Sequence, residues 1–357
     1  MIFFAAFLIC SFASLARVNC TDHTVVVNPA KEKVKYKVEV VPYDSNWPKM
    51  YEKEATLLKQ RLGDNAVAIH HVGSTSVPGL HAKPIIDIIA VVKEAPSTIK
   101  ALESIRYEYK GEYNIPFHFN FSKKGNPKVY VHLFEEGNPE IELNLLFRDY
   151  LRSHPESVKE YANLKAYLLT QESSFEKTNS KFKGYTLGKD SFIRKILKNA
   201  GFNRLRIMHC THQEELKMAN VFRQKYFQEL KMPDPDIQTF NHPEHIHLCL
   251  YQGINIIGYA HLQLLTKEEA ILRIFVMDET FRNQNYESEF LTLFEKWLRS
   301  KNYKSLQVIT SQTLRDFYEK YGFKEVSQQN NGLNKRKVDR SEIKMLKMLK
   351  VVGMRKS

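Results

Sequence analysis

The sequence predicts two domains of mixed α/β (α+β) class that meet near residue 200. Three observations predict it. A chain of 357 residues can bury one large core or two ordinary ones. In each half, apolar runs of strand length alternate with amphipathic runs of helix length. Between the halves, "NAGFNRLRI" places Asn199 and Gly201 as a helix stop just ahead of a new apolar run.

The elements follow in order. After the polar lead-in "NPAKEKVKYK", an amphipathic helix is predicted over residues 47–62 and a strand over 67–72. A turn leads to the strand "PIIDIIAVV", and further strands are predicted over 117–121 and 129–134. Helices run from about 140 through 169 and again over 191–199. The second half reads strand 205–208, helix 213–229, strand 245–251, turn Gln252-Gly253 and strand 256–265. Strand 270–277, helix 287–300, strand 306–310, helix 313–321 and terminal strands complete it.

Apolar content of 43% and charged content of 26% are those of a globular protein. Beyond the N-terminus no run is long and apolar enough to span a bilayer. The net charge is +13, which favours anionic partners such as nucleotides or cofactor phosphates. Its plainer reading is a solvated basic surface, because no nucleic-acid module is visible and no specific nucleic acid is expected. The four cysteines (Cys10, Cys20, Cys210, Cys249) show no CxxC spacing, which argues against a zinc site or a disulfide framework and suggests a reducing compartment.

Residues 2–16 form an apolar run of signal-peptide length, with Ser14-Leu15-Ala16 as a cleavage site, yet no positive residue precedes it. Three readings remain: an export signal, an uncleaved anchor, or translated sequence upstream of the true start. The third, with a cytoplasmic location, is favoured by the cofactor chemistry below. Export or anchoring follows if residues 1–16 are a genuine signal.

The densest motif is "HHVGSTSVPGLHAKPIIDIIAVV". A strand ends at Val72, Gly73-Ser74 turns tightly, and Thr75 and Ser76 add hydroxyls. Gly73 permits close backbone approach, so exposed N–H groups there can hold phosphate oxygens. Lys83 brings positive charge nearby. Asp87 interrupts a buried strand, which is costly unless it is paired or binds a metal, so it is a candidate magnesium ligand. The plain alternative is an ordinary turn and a capping aspartate.

The stretch from about Val38 to Ala200 resembles the GrpB family, a branch of the nucleotidyltransferase superfamily. The resemblance rests on "VVPYDSNWPKMYEKE", "HVGSTSVPGLHAKPIIDI", "VHLFEEGNPEIELNLLFRDYLRSHPE", "YANLK" and Tyr185, Lys189, Phe192 and Ile193. It implies a nucleotidyltransferase-like mixed sheet with helices. Gly73, Ser74, Thr75 and Lys83 would hold a nucleoside triphosphate, and Asp87 would bind Mg2+ that neutralises the phosphates. The chain departs from the pattern. The second acid two residues on is Ile89, so a later acid must complete the site: Glu142, or Asp149 beside Arg148. His132 is either a ligand or a satisfied core histidine. The family's basic pair before "LLFRDYL" is Leu143-Asn144, and the arginine after "IP" is replaced by Phe117-His118.

The second half, residues 205–349, resembles the GNAT N-acetyltransferases. The carriers are "NIIGYAHLQLL", "AILRIFVMDETFRNQNYESEFLTLFEKWLRSKNY", "SLQVITSQ", "LRDFYEKYGFKEV" and "EIKMLKML". The resemblance implies a mixed sheet with helices, with pantetheine of acetyl-CoA along the strand at Phe275 and Val276. The diphosphate would lie on Arg282, Asn283, Gln284, Asn285, Tyr286, Glu287 and Ser288, at a helix N-terminus. Strand 306–310 would splay away to admit the thioester. Tyr318 would protonate the leaving thiolate. No general base is identifiable; His245, His247 and His261 lie near the presumed acceptor cleft, Arg273 could orient a carboxylate, and Cys249 has no activating neighbour in sequence.

Two glycines usual in that loop are Asn285 and Glu287 here. Asparagine tolerates φ > 0, whereas Glu287 sets negative charge where a diphosphate should bind, so weakened acetyl-CoA binding is expected. The domains are then 1–34 (apolar segment and linker), 35–200 and 203–352. The expected activity is acetyl transfer to an amine of a small molecule or a protein. The alternatives are magnesium-dependent nucleotidyl transfer as the main activity, or a non-catalytic nucleotide- or CoA-binding regulator with both sites degenerate.

Overall fold

In the computed structural model, the described residues are 38–175, 184–211, 213–229, 242–282, 284–326 and 342–349. The N-terminal apolar run and the basic residues 335–340 lie outside them. Among the described residues no helix is long and apolar enough to cross a membrane.

The first half is built on α1 (Trp47–Leu62), β1 (Ala66–Val72), β2 (Ile85–Val92), α2 (Thr98–Glu103), β3 (Glu108–Gly111), β4 (Phe119–Lys123) and β5 (Lys128–Glu135). The strands form a mixed sheet in the order β1-β2-β5-β4-β3, with β2 parallel to β5 and the other pairs antiparallel. The near-continuous apolar run of β2 is explained by burial on both faces. Ile86, Ile88, Ala90 and Val92 pack in the core with α1, whereas Ile89 and Val91 join Val72 and Phe134 in a second cluster. Asp87 shares the parity of Ile89 and Val91 but sits near the strand's open end, 30% exposed.

Four helices complete this half: α3 (Pro139–Ser153), α4 (Pro155–Thr170), α5 (Gly184–Leu187) and α6 (Asp190–Asn199). Pro155 divides α3 from α4, because the ring forces the preceding His154 out of helical geometry (φ −128°, ψ 84°). Helix α2 and strand β3 are additions to the sequence reading. The strand expected from residue 117 begins only at Phe119, because Phe117 takes φ 64° and is turned out of the ladder.

The second half comprises β6 (Leu205–His209), α7 (Gln213–Glu229), β7 (His245–Gln252), β8 (Asn255–Leu264), β9 (Glu269–Met277), α8 (Tyr286–Ser300), β10 (Ser305–Ser311), α9 (Arg315–Lys320), β11 (Lys324–Glu325) and β12 (Glu342–Met348). The sheet order is β11-β12-β10-β9-β8-β7-β6. Only β9 and β10 pair in parallel, and their pairing stops at Leu272↔Val308 although β9 continues to Met277. The two strands therefore part, as expected for strand 306–310. One face of the sheet packs on Phe290, Leu291, Phe294, Trp297 and Leu298 of α8. The other packs on α7 through Ala219 and its partly buried neighbours.

The described parts of both halves belong to one compact unit. Residues 112–118 of the first half reach into the second. Glu112 accepts a 3.0 Å hydrogen bond from the Trp297 indole, and Phe117 packs against the second half's core. Behind them, Glu140 pairs with Arg206 at 3.2 Å and Glu142 with Arg204 at 2.9 Å.

Candidate functional site

The first site lies where β1 ends. Gly73 (φ 68°) turns the chain directly against Asp87: a Cβ at this position would meet Asp87 Oδ2 at 2.4 Å. Glycine is thus required here by contact and by backbone geometry together. Ser74–Ser76 form a single 3₁₀ turn. Ser76 donates to the Gly73 carbonyl at 2.6 Å, and the Thr75 hydroxyl donates to the Ile85 carbonyl at 2.9 Å. Those two hydroxyls brace the turn.

Ser74, Thr75, Lys83 and Asp87, all expected from the sequence, line one cavity of about 90 Å³. Beside Ile85, three polar lining residues are not among those expected from the sequence: Lys165 on α4, Tyr185 on α5 and Lys189 just before α6. Lys165 is only 3% exposed; its ammonium donates to Ser74 Oγ at 2.7 Å and to the His81 carbonyl at 2.9 Å. The Lys83 and Lys189 ammoniums stand 4.4 and 5.1 Å from the centre of the Tyr185 ring. Burial, then the neighbouring Lys189 and Lys83, push Lys165 down to about 7. Burial and Lys83 push Lys189 down to about 8, against the pull of Asp87. A signal for Lys165 was present: with Tyr161 and Leu168 it falls on one buried stripe of α4.

The candidate later acids are engaged elsewhere. Glu142 is paired with Arg204 of the second half. Asp149 accepts two hydrogen bonds from Arg148, which hold its carboxyl below the usual range. His132 Nε2 lies 3.7 Å from Asp87, and its Nδ1 lies 3.0 Å from Nε2 of buried His118. Burial and the neighbouring ring hold His118 well below its ordinary value, so it is neutral. Among the described residues no three or more His, Cys, Asp or Glu side chains form a metal-binding group. Asp87 instead shares its cavity with three ammonium groups, which repel a dication. The residues present do not fit a nucleotidyltransferase magnesium site.

The second site is a groove of about 150 Å³ between α7 and the end of β9. Val221, Phe222, Tyr226, Val276 and Met277 give it apolar walls, and Lys225, Arg282, Glu229 and Asp278 bring two charges of each sign to its lining. Phe275 points the other way, into rings of Phe290, Phe294 and Phe317. Arg282 is held by the Met277 carbonyl at 3.1 Å and by Glu229 at 3.3 Å. Asn285 takes φ 71° at the N-cap of α8, the left-handed turn expected of it. Its side chain accepts from Ser288 at 2.8 Å, and Ser288 also bonds the Tyr321 hydroxyl. Gln284 donates to the Thr280 carbonyl at 2.7 Å, and Tyr286 packs edge-on against Phe281. Glu287 and Glu289 both lie in the first turn of α8, so the helix already carries acid where an anion would dock. Asn283 lies outside the described residues.

Tyr318 is buried on α9 among Phe317 and Phe323. Burial, then nearby Tyr226 in the groove wall, push its hydroxyl above the ordinary tyrosine value. It therefore stays protonated and able to donate. The strand histidines form a network: His245 Nδ1 to His261 Nε2 at 2.7 Å, His261 Nδ1 to Arg223 at 2.9 Å, and His247 Nδ1 to the Tyr259 hydroxyl at 2.7 Å. Burial, with His247 and Arg223, drives His261 down to about 2, so it stays neutral and accepts. Arg273 is exposed and bonded to Gln263 at 2.6 and 2.9 Å. Cys249 is buried 3.5 Å from the Cys210 sulfur.

Comparison with known proteins assigns both halves. Residues 37–199 match the family model "GrpB protein". UPF0157 protein YqkA of Bacillus subtilis is 41% identical over 170 residues, which is 46% of this chain and 48% of that protein. A UPF0157 protein of Halalkalibacterium halodurans is 34% identical over 166 residues, 46% of this chain and 82% of that protein. The chain belongs to the GrpB family. The crystal structure of GrpB from Enterococcus faecalis shares 36% identity, covering 45% of this chain and 96% of that one, with a TM-score of 0.40. This chain spans about half the length of YqkA. Beyond the GrpB domain, residues 210–336 match the family model "Acetyltransferase (GNAT) domain". The GrpB domain thus holds the lysine-lined cavity, and the GNAT domain holds the groove and Tyr318.

Proposed function

We propose that this chain is an N-acetyltransferase that moves an acetyl group from acetyl-CoA to an amine of a small molecule or a protein. The observation that carries the reading is the parting of β9 and β10 beyond Leu272↔Val308, beside an apolar groove and a buried, protonated Tyr318. Beyond Leu272, β9 stays paired with β8, but its edge toward β10 leaves the ladder and offers hydrogen bonds to an extended pantetheine arm, and the groove offers it apolar walls. The amine attacks the thioester carbonyl, the carbon–sulfur bond breaks, Tyr318 supplies the proton to the sulfur, and the proton lost by the amine nitrogen passes through solvent to restore the Tyr318 hydroxyl. The loop at Asn285 retains the turn such a donor needs, while Glu287 opposes the diphosphate. Acetyl-CoA should therefore bind more weakly than at a loop with glycine there.

The test is thiol release from acetyl-CoA against a panel of small amines and peptides, with Tyr318→Phe as control. Phenylalanine keeps the ring packing and removes only the proton. A loss of roughly 10²–10⁴-fold in kcat with unchanged KM is expected for a missing general acid. Equal rates in wild type and variant remove Tyr318 from the reaction. No acetyl-CoA binding at any concentration favours the reading of a non-catalytic protein.

A further inference from the structure

We propose that the cavity of the GrpB domain binds the dianionic phosphate of a monoester directly through lysine ammoniums, without a divalent metal. The inference stands apart from the acetyl-transfer reading, since it concerns the other domain. Its first support is charge. Among the described lining residues, Lys83, Lys165 and Lys189 share the cavity with one carboxylate, Asp87, so ammonium groups outnumber carboxylates there. A dication would deepen the repulsion among these lysines, whereas a dianion draws them into their charged form.

The second support is construction. Lys165 is almost fully buried, yet its ammonium is fixed by Ser74 and the His81 carbonyl rather than by an acid. Tyr185 presents its ring to both other ammoniums, which holds each of them near the cavity. Burial, and after it the neighbouring ammoniums, depress Lys165 and Lys189, and an anion between them relieves the repulsive part.

The third support is size. The cavity holds about 90 Å³, far below the roughly 300–1,000 Å³ of sites that enclose a whole small molecule. It takes the charged end of a ligand and leaves the remainder outside. Inorganic phosphate and an organic monoester share this chemistry, and the two probes below separate them.

Binding of inorganic phosphate and of adenosine 5′-monophosphate to the full chain is measured by calorimetry, in EDTA and again in excess magnesium. The expected result is binding in EDTA that changes less than twofold with magnesium. Binding of both probes, or of the nucleotide alone, assigns an organic monoester; binding of inorganic phosphate alone assigns the free ion. Lys189→Gln, at a partly exposed position, should weaken binding at least tenfold while circular dichroism stays that of wild type. Lys165→Met should do the same where it folds. Binding that requires magnesium, binding unaffected by Lys189→Gln, or no binding of either probe overturns the proposal.

Discussion

The side-chain amide of Asn114, in the GrpB domain, donates a 2.7 Å hydrogen bond to Glu215 at the start of α7 in the GNAT domain, and both residues are buried. Glu215 also accepts from the Thr211 backbone N–H at 2.9 Å. A carboxylate removed from water needs such donors. Asn114→Ala withdraws one of them, and the cost of an under-satisfied buried polar group is about 1–3 kcal/mol. We expect that loss in urea unfolding, with one cooperative transition in the wild type because the halves share this contact. Two separate wild-type transitions, with Asn114→Ala silent in both, would show that the contact does not couple them.

The position of Gly73 gives a sharper test of the GrpB site. A Cβ there would lie 2.4 Å from Asp87 Oδ2 and 3.0 Å from Asp87 Cβ, at φ 68°. The backbone there (φ 68°, ψ −173°), in a region essentially confined to glycine, alone costs a non-glycine residue about 1–3 kcal/mol. Gly73→Ala should therefore destabilise by more than about 3 kcal/mol, the excess coming from the contact. Asp87→Ala removes the closest atoms but keeps the Cβ at 3.0 Å, so Gly73→Ala introduced in that background should cost less than in the wild type. A cost that is the same in both backgrounds would place the carboxylate away from the turn in solution.

These two tests also mark what could be read from the sequence. The apolar strands were legible because burial dictates their composition, β2 above all. So was the left-handed turn at Asn285, because few residue types tolerate that geometry. The cavity was only half legible. Gly73, Ser74, Lys83 and Asp87 are close in sequence, but Lys165 bonds Ser74 across 91 residues, a pairing that only the packing of α4 creates. The docking loop was hidden for a related reason. Phe117 stands where the family's arginine was expected, and it packs on the GNAT core. The departure from the family pattern coincides with a contact that depends on the fused domain.

Glu287 separates the two readings of the GNAT groove. A phosphate charge about 5 Å from this carboxylate, at an effective dielectric near 20, costs on the order of 3 kcal/mol before screening. Glu287→Gly should tighten acetyl-CoA binding by roughly tenfold, which corresponds to about 1.4 kcal/mol. High salt should narrow the gap between the two proteins, because screening weakens the repulsion. Equal, micromolar affinities for wild type and variant at low salt would sink the idea that this side chain limits cofactor binding.

The lysine cluster predicts a particular pH dependence. Lys165 faces Ser74 and Tyr161, with Lys83, Lys189, Asp87 and Tyr185 around the same cavity and His132 behind Asp87. Lys165 titrates near 7 and Lys189 near 8 in the folded chain, both below the ordinary 10.5. Between those folded values and 10.5 the unfolded chain holds more protons, so without ligand these groups make stability rise with pH. A bound dianion favours the charged ammoniums and reverses the shift, so binding takes up protons. With adenosine 5′-monophosphate, whose phosphate resembles a phosphate ester of second pKa about 6 and is already dianionic above pH 7.5, affinity should fall steadily from pH 7.5 to 9. Calorimetry at pH 7.5 in two buffers of different ionisation enthalpy should show the uptake directly, and Lys189→Gln should reduce it. Affinity that is flat across this range, with no proton uptake, would mean that the lysines are not the groups holding the phosphate.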